Sequence, residues 1–127
     1  MAENCYAYAL DEEGFRELDV DTNDGMMSFN CDNALQAAAN DGLIDCVDFS
    51  AKLGPNSGWY AALYLHDDGY DYHWFRQDNH GCWSHFPPGN YVFAQDTDYS
   101  GMKISDPEMC DRNEYTMFCS YMITPPT

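Results

Sequence analysis

The sequence predicts an α+β domain in which N-terminal helices pack on an antiparallel β-sheet. Two stretches near the start carry apolar positions at helical spacing, each opened by residues able to cap a helix. From residue 59 onward the pattern changes to aromatic-rich segments with period-two alternation. Tight turns join those segments into a meander, so helices and strands fall into segregated layers. The 127 residues form one domain, 1–127, long enough to bury well over half of the unfolded chain's surface. Three Trp, ten Tyr and seven Phe, clustered in 59–99, place the core there.

Residues 3–10, ENCYAYAL, begin a short helix capped by Glu3 or Asn4, with Tyr6, Ala9 and Leu10 as its apolar stripe. Residues 11–14 stop it, and 15–29, with a loop at 21–25, read as mostly irregular. Asn30 or Asp32 caps a second helix through Ala34, Leu35, Ala37, Ala38 and Ala39, ending at Asn40-Asp41-Gly42. A turn at 54–58 precedes a strand over 59–66. After the turn at 67–69, residues 70–77 alternate, with Tyr72, Trp74 and Arg76 on one face and Asp71, His73, Phe75 and Gln77 on the other. A turn at 78–81 leads to a strand over 82–86, which Pro87-Pro88-Gly89-Asn90 breaks before a strand at 91–94. Residues 95–112 are acidic and turn-rich around a short segment at 102–104, and 114–123 form the final strand.

Twenty-two Asp and Glu against five Lys and Arg give a formal charge of −17. Such a surface repels phosphate backbones, so no direct nucleic-acid binding is expected, while a basic protein or cationic substrate is attracted. No stretch approaches the roughly 18 apolar residues of a membrane span. No signal-peptide pattern opens the chain, so the expectation is a cytoplasmic protein, or one delivered into another cell or acting inside a host. The six cysteines form no CxxC pair, and reduced thiols are the expectation, with Cys31, Cys46, Cys110 and Cys119 as small buried hydrophobes. The histidines at 66, 73, 80 and 85 lack the paired spacing of a zinc site, so neither metal nor other cofactor is expected.

The chemistry is expected at Cys5. A helix start and a nearby imidazolium both favour the thiolate, the reactive form of cysteine. His73 and His85 fall on adjacent predicted strands, opposite or nearly opposite after a one-residue shift. His73 then serves as the base and His85 accepts from its other ring nitrogen. Asp98 and Asp96 are substitutes for that third role. The Cys5 backbone N–H and the Asn4 side chain are candidate oxyanion donors, each worth roughly 3 kcal/mol to a tetrahedral intermediate when correctly placed.

The motif NCYAYA, followed by a strand histidine and a polar residue on the next strand, resembles the papain-like superfamily, most closely the NlpC/P60-type peptidases. Cys5, His73 and His85 are the matching residues, and the step between the histidines resembles that branch. The segment YHWFRQDNHGCWSHFPPG also resembles a family of small bacterial and phage proteins with an N-terminal NCYAYA. The resemblance covers 3–10 and 59–121 and departs at residues 11–14, which cut the cysteine's helix short. It implies a papain-like fold and a cysteine-dependent amidase or peptidase working through a thioester. Cell-wall peptide or isopeptide bonds, in a peptide or basic protein, are the implied substrates. The competing expectation is a non-enzymatic acidic interaction protein, an inhibitor or effector of a basic partner.

Overall fold

A computed structural model describes residues 2–20, 28–46, 48–49, 58–89 and 93–125. Helix α1 (Cys5–Leu10) and helix α2 (Cys31–Asn40) precede strands β1 (Ile44–Cys46), β2 (Tyr60–Leu65), β3 (Tyr72–Gln77), β4 (Trp83–His85) and β5 (Met117–Ile123). The strands form one five-stranded sheet in the order β1-β5-β2-β3-β4, every pairing antiparallel. The expected meander over β2, β3 and β4 is present, and β5 returns beside β2.

The expected α+β papain-like fold, with N-terminal helices as a layer, is corrected by this architecture. The antiparallel sheet dominates, and the helices are short, of six and ten residues. The physical reason lies in their C-termini. Asp11 enters the left-handed conformation at φ 56° and closes α1 after its first turns, while Asp41 ends α2 with its N–H shared between the Ala37 and Ala38 carbonyls and Gly42 N donating to Ala39 O. Two such pieces cap part of a sheet instead of forming a layer equal to it.

Alternation along the strands sorts two cores. On the helix side, Ala61, Leu63, Leu65, Tyr72, Trp74 and Met122 meet Tyr6 and Leu10 of α1 and the alanines of α2. Tyr6 stacks on Trp74 with ring centroids 5.2 Å apart. On the other face Tyr60, Ala62, Tyr64, Phe75, Trp83 and Tyr121 pack with Ile104 and Tyr115 from the later loops. Every residue of β2 is buried because both of its faces are covered and β5 and β3 flank it.

The expectation of reduced cysteines fails at one pair: Cys31 at the start of α2 is disulfide-bonded to Cys119 of β5, across 88 residues. A bulge makes the bond geometrically accessible. The register runs Leu63↔Ser120 and then Tyr64↔Phe118, so Cys119 is the extra residue. In regular alternation Cys119 would share a face with Tyr121. The extra residue turns it toward the helix side instead, where Cys31 also packs.

The expected strand at 91–94 does not form at Phe93 and Ala94, and Tyr91 and Val92 lie outside the described residues. Likewise, the expected loop at 21–25 and most of the turn at 54–58 fall outside them. The outer edge of β4 is covered from the loops, by bridges of Trp83 to Ile104 and His85 to Gln95.

Candidate active site

Asn4 opens α1 in extended conformation, and its Oδ1 accepts from the Ala7 N–H, satisfying one first-turn donor. The same oxygen accepts from Arg16 N, and Nδ2 donates to Arg16 O and Glu17 Oε1, both at 2.9 Å. The two amide hydrogens are thereby used. Asn4 is a cap and a clip for the following loop, and both amide hydrogens expected as oxyanion donors have acceptors here.

Cys5 follows the cap and reaches the edge of β3. Strand β4 pairs with β3 only at Phe75, Arg76 and Gln77, because Pro87-Pro88 follow shortly after His85 and cannot extend the ladder. The edge at Tyr72–Trp74 is consequently free of β4. There the thiol donates to the Tyr72 carbonyl at 3.9 Å and faces the Trp74 N–H. The sulfur occupies the position that a neighbouring strand would otherwise fill.

His73, fully buried, projects between these two residues from the same strand. Its Nε2 lies 2.8 Å from Nδ1 of His85, which is 1% exposed, and the Nε2 of His85 lies 2.8 Å from the Thr97 carbonyl. The proton positions follow from the last partner. A carbonyl only accepts, so His85 carries its hydrogen on Nε2 and offers a lone pair at Nδ1. His73 donates to it through Nε2–H. The remaining nitrogen of His73, Nδ1, is a bare lone pair, and it is buried without a hydrogen-bond partner.

Cys5 and His73 line one cavity of about 380 Å³, together with Glu3, Asn4, Phe15 and Glu17 on the loop side. Asp71, Tyr72 and the Phe86–Gly89 turn complete its walls. Burial pushes the Cys5 thiol up to about 12; the Trp74 N–H opposes this, and the Asp71 and Glu17 carboxylates add to it. Burial also holds His73 well below its ordinary value, with the neighbouring His85 adding to the depression. At rest the cavity therefore holds a neutral thiol, hydrogen-bonded to the Tyr72 carbonyl and not to His73, and a neutral imidazole. The expected thiolate bias from the helix start is outweighed, since α1 has only six residues and the site is dry and acidic.

Of the three residues named for the third role, His85 is the one hydrogen-bonded to His73. Asp96 is exposed, and Asp98 makes a turn instead: its Oδ1 accepts from Ser100 N and Met102 N, and its Oδ2 from Asp111 N. Slight burial raises Asp98, but these backbone donors outweigh it and hold the carboxylate below its ordinary range. The turn secures the chain that presents Thr97, so Asp98 supports His85 at one remove. Thr97 itself was not foreseeable, because a backbone carbonyl carries no residue-type signal. Phe75 stacks under His85 at 4.7 Å and Tyr115 lies beside His73 at 5.1 Å, fixing both rings.

No family model matches the chain, and no solved structure matches it. Among curated proteins it is similar to "Insoluble matrix shell protein 1" of Ruditapes philippinarum, 43% identical over 54 residues. That segment is 42% of this chain and 35% of the relative, so the chain spans about a third of the relative's length.

Proposed function

We propose that the protein is a cysteine-dependent amide hydrolase with Cys5 as nucleophile, His73 as base and His85 as the group that orients it. One observation carries the reading: a buried imidazole lone pair without a partner, fixed by a two-step hydrogen-bonded chain, lines the same cavity as a free thiol. An orphaned buried polar atom costs about 1–3 kcal/mol. The Trp74 and Trp83 indole N–H groups are orphaned too, and what sets His73 apart is a basic nitrogen on a residue that lines the cavity of a free thiol.

The reaction starts from the neutral pair. As sulfur adds to the substrate carbonyl, the thiol proton passes to His73 Nδ1, and the imidazolium is held by its Nε2–H bond to His85. The Cys5 N–H faces the developing oxyanion. When the C–N bond breaks, His73 returns the proton to the leaving amine and an acyl thioester remains on Cys5. Water, deprotonated by His73, adds to the thioester carbonyl; the C–S bond breaks, the thiol is restored and a carboxylic acid leaves. The substrate class is a peptide, isopeptide or cell-wall peptide amide.

The test is Cys5-dependent turnover. Fluorogenic peptide and isopeptide amides and cell-wall fragments are offered to the wild type, Cys5→Ala and His73→Ala. Intact-mass measurement then looks for acyl groups on Cys5. Hydrolysis lost in both variants, with an acyl adduct mapped to Cys5, is expected. Turnover indifferent to both substitutions, or no turnover in any set, overturns the reading.

A second reading has its own support: the charge of −17 and a local likeness to a protein named for an insoluble shell matrix. Here the acidic surface itself binds a basic partner and the thiol is idle. Partner capture unchanged by Cys5→Ala, together with absent turnover, favours it. Under either reading the Cys31–Cys119 disulfide favours residence in an oxidising compartment over the cytosol.

A further inference from the structure

We infer that the Cys5 cavity selects substrates carrying a cationic side chain, of lysine or arginine type, beside the scissile amide. The inference rests on the hydrolase reading for the word substrate, but its observations are separate.

Three carboxylates line the cavity, from Glu3, Glu17 and Asp71, and none of the four described Lys and Arg residues does. Two of the carboxylates are held in place by neutral donors. Glu17 accepts from the Asn4 amide at 2.9 Å and the Tyr72 hydroxyl at 2.6 Å. Asp71 accepts from Tyr72 N at 2.8 Å and the Tyr115 hydroxyl at 2.7 Å. Neutral donors orient a carboxylate without cancelling its charge. Among the described residues none of the three has a cationic partner: Arg16 turns to Glu12 and Asp41, and Arg76 to Asp11 and Asp78.

The second observation comes from His73 in the same cavity. Fully buried His73, whose Nδ1 is unpartnered, lines the same cavity, and a polar group of a ligand would satisfy it. Phe86, Pro87 and Phe15, the last 69% exposed, give the same cavity an apolar surface. An aliphatic stem lies along such a surface while its charged head reaches the carboxylates, which is how lysine and arginine partition between apolar and polar surroundings. Burial above all holds the thiol protonated, and Asp71 and Glu17 add to it, so a docked cation that neutralises those two also eases loss of the Cys5 proton.

The experiment uses charged thiol probes on the whole protein: aminoethyl methanethiosulfonate, a cation, against sulfonatoethyl methanethiosulfonate, an anion. Labelling rates are read at each free cysteine by peptide mass mapping. Cys82 is the internal reference, because it feels the −17 charge of the chain but not this cavity. The cation-to-anion rate ratio at Cys5 is expected to exceed that at Cys82 by about tenfold at low salt and to shrink at high salt. Glu3→Gln, a change at an exposed side chain, and Asp71→Asn should each lower it. Equal ratios at the two cysteines, or a Cys5 ratio untouched by both substitutions, overturn the inference.

A second arm separates this from the hydrolase reading. Lysyl and norleucyl amides of aminomethylcoumarin are bound to Cys5→Ala and offered to the wild type. Tighter lysyl binding without turnover leaves the cation site standing and sinks the hydrolase; turnover with equal binding of both does the reverse.

Discussion

Both helices of this protein begin with the same dipeptide. Asn4-Cys5 opens α1 and Asn30-Cys31 opens α2, and in each case the asparagine side chain accepts from the backbone N–H three residues on. Both cysteines lie at the margin of the same helix-side core. One is sealed in a disulfide and the other is a free thiol in a cavity that His73 also lines. What separates them is the strand each one meets. Cys31 faces β5 where a bulge has turned Cys119 toward it, whereas Cys5 faces β3 where β4 has ended and left the edge open. A cysteine at a helix start is thus an offer of chemistry, and the sheet decides which chemistry is taken.

Exchanging the two roles gives the largest effect. Cys5→Ala should lower amide turnover by about 10⁴-fold or more, because no other group forms the acyl intermediate. Its melting temperature should stay near that of the wild type, since the side chain is small and part-exposed. Cys31→Ala with Cys119→Ala should do the opposite, keeping turnover measured at low temperature while lowering stability. For a loop of 88 residues the chain-entropy estimate is about 4–5 kcal/mol, read as a shift in the urea midpoint. Equal losses of turnover in both variants would show that the disulfide positions the site and would break the comparison.

The pH dependence sharpens it further. His73 is held below the ordinary histidine value of 6.5 because burial disfavours its charged form. The unfolded chain therefore binds more protons than the folded one as pH falls through that value, and stability is lost from about pH 6.5 downward. His66 works against this trend: its partly exposed ring is paired with Glu114 and Asp68, and its value is raised. Lower pH also relieves the repulsion of a −17 chain. His85, lowered chiefly by burial, adds to the His73 trend, so the wild type mixes four trends, and the difference from His73→Gln reports the buried histidine pair. The variant should lose less stability than the wild type between pH 7 and pH 5, by thermal melts across that range. The turnover of the wild type should fall on acidification only below the ordinary histidine value and stay flat to about pH 9, because Cys5 titrates near 12 and acts from its neutral form. A rate that climbs with pH through 8 to 9 would mean a free thiolate carries the reaction.

How much of this the sequence disclosed follows from distance along the chain. The helices were legible to within a residue or two, because cap, alanine content and stop signal are local. The faces of β3 were legible from alternation, with Tyr72 and Trp74 on one side and His73 and Phe75 on the other. The register of the histidines was not. His85 pairs with Phe75, so His73 meets it diagonally, and the two long rings span the offset. The three-residue strand β1 escaped notice because Ile44 and Asp45 are exposed and leave no apolar pattern. The disulfide was hidden more deeply, since it depends on a bulge that only pairing with β2 creates. The meeting of Cys5 with β3 depends on where β4 stops. Pro87-Pro88 announced that stop, but not that the vacated edge would receive residue 5.

The smallest effect tests whether the two asparagines are as alike as their positions suggest. Asn30 and Asn33 form a reciprocal pair, Asn30 N donating to Asn33 Oδ1 and Asn33 N to Asn30 Oδ1, and this serves α2 alone. Asn30→Ala should cost about 1 kcal/mol, the ordinary worth of a cap, and leave turnover unchanged. Asn4 does more: besides capping α1 it holds Arg16 through both backbone groups and meets Glu17. Asn4→Asp keeps the cap oxygen but removes both amide donors and sets a carboxylate against Glu17. Its stability loss should come to about 1–2 kcal/mol, from the two lost amide hydrogen bonds and not from the cap, which stays. Its signature should lie elsewhere: the Michaelis constant for a lysyl amide should shift more than the turnover number, because Glu17 lines the cavity wall that Asn4 orients. Equal kinetic behaviour of the Asn4 and Asn30 variants would reduce Asn4 to a cap and leave the strand edge alone as the difference between the two cysteines.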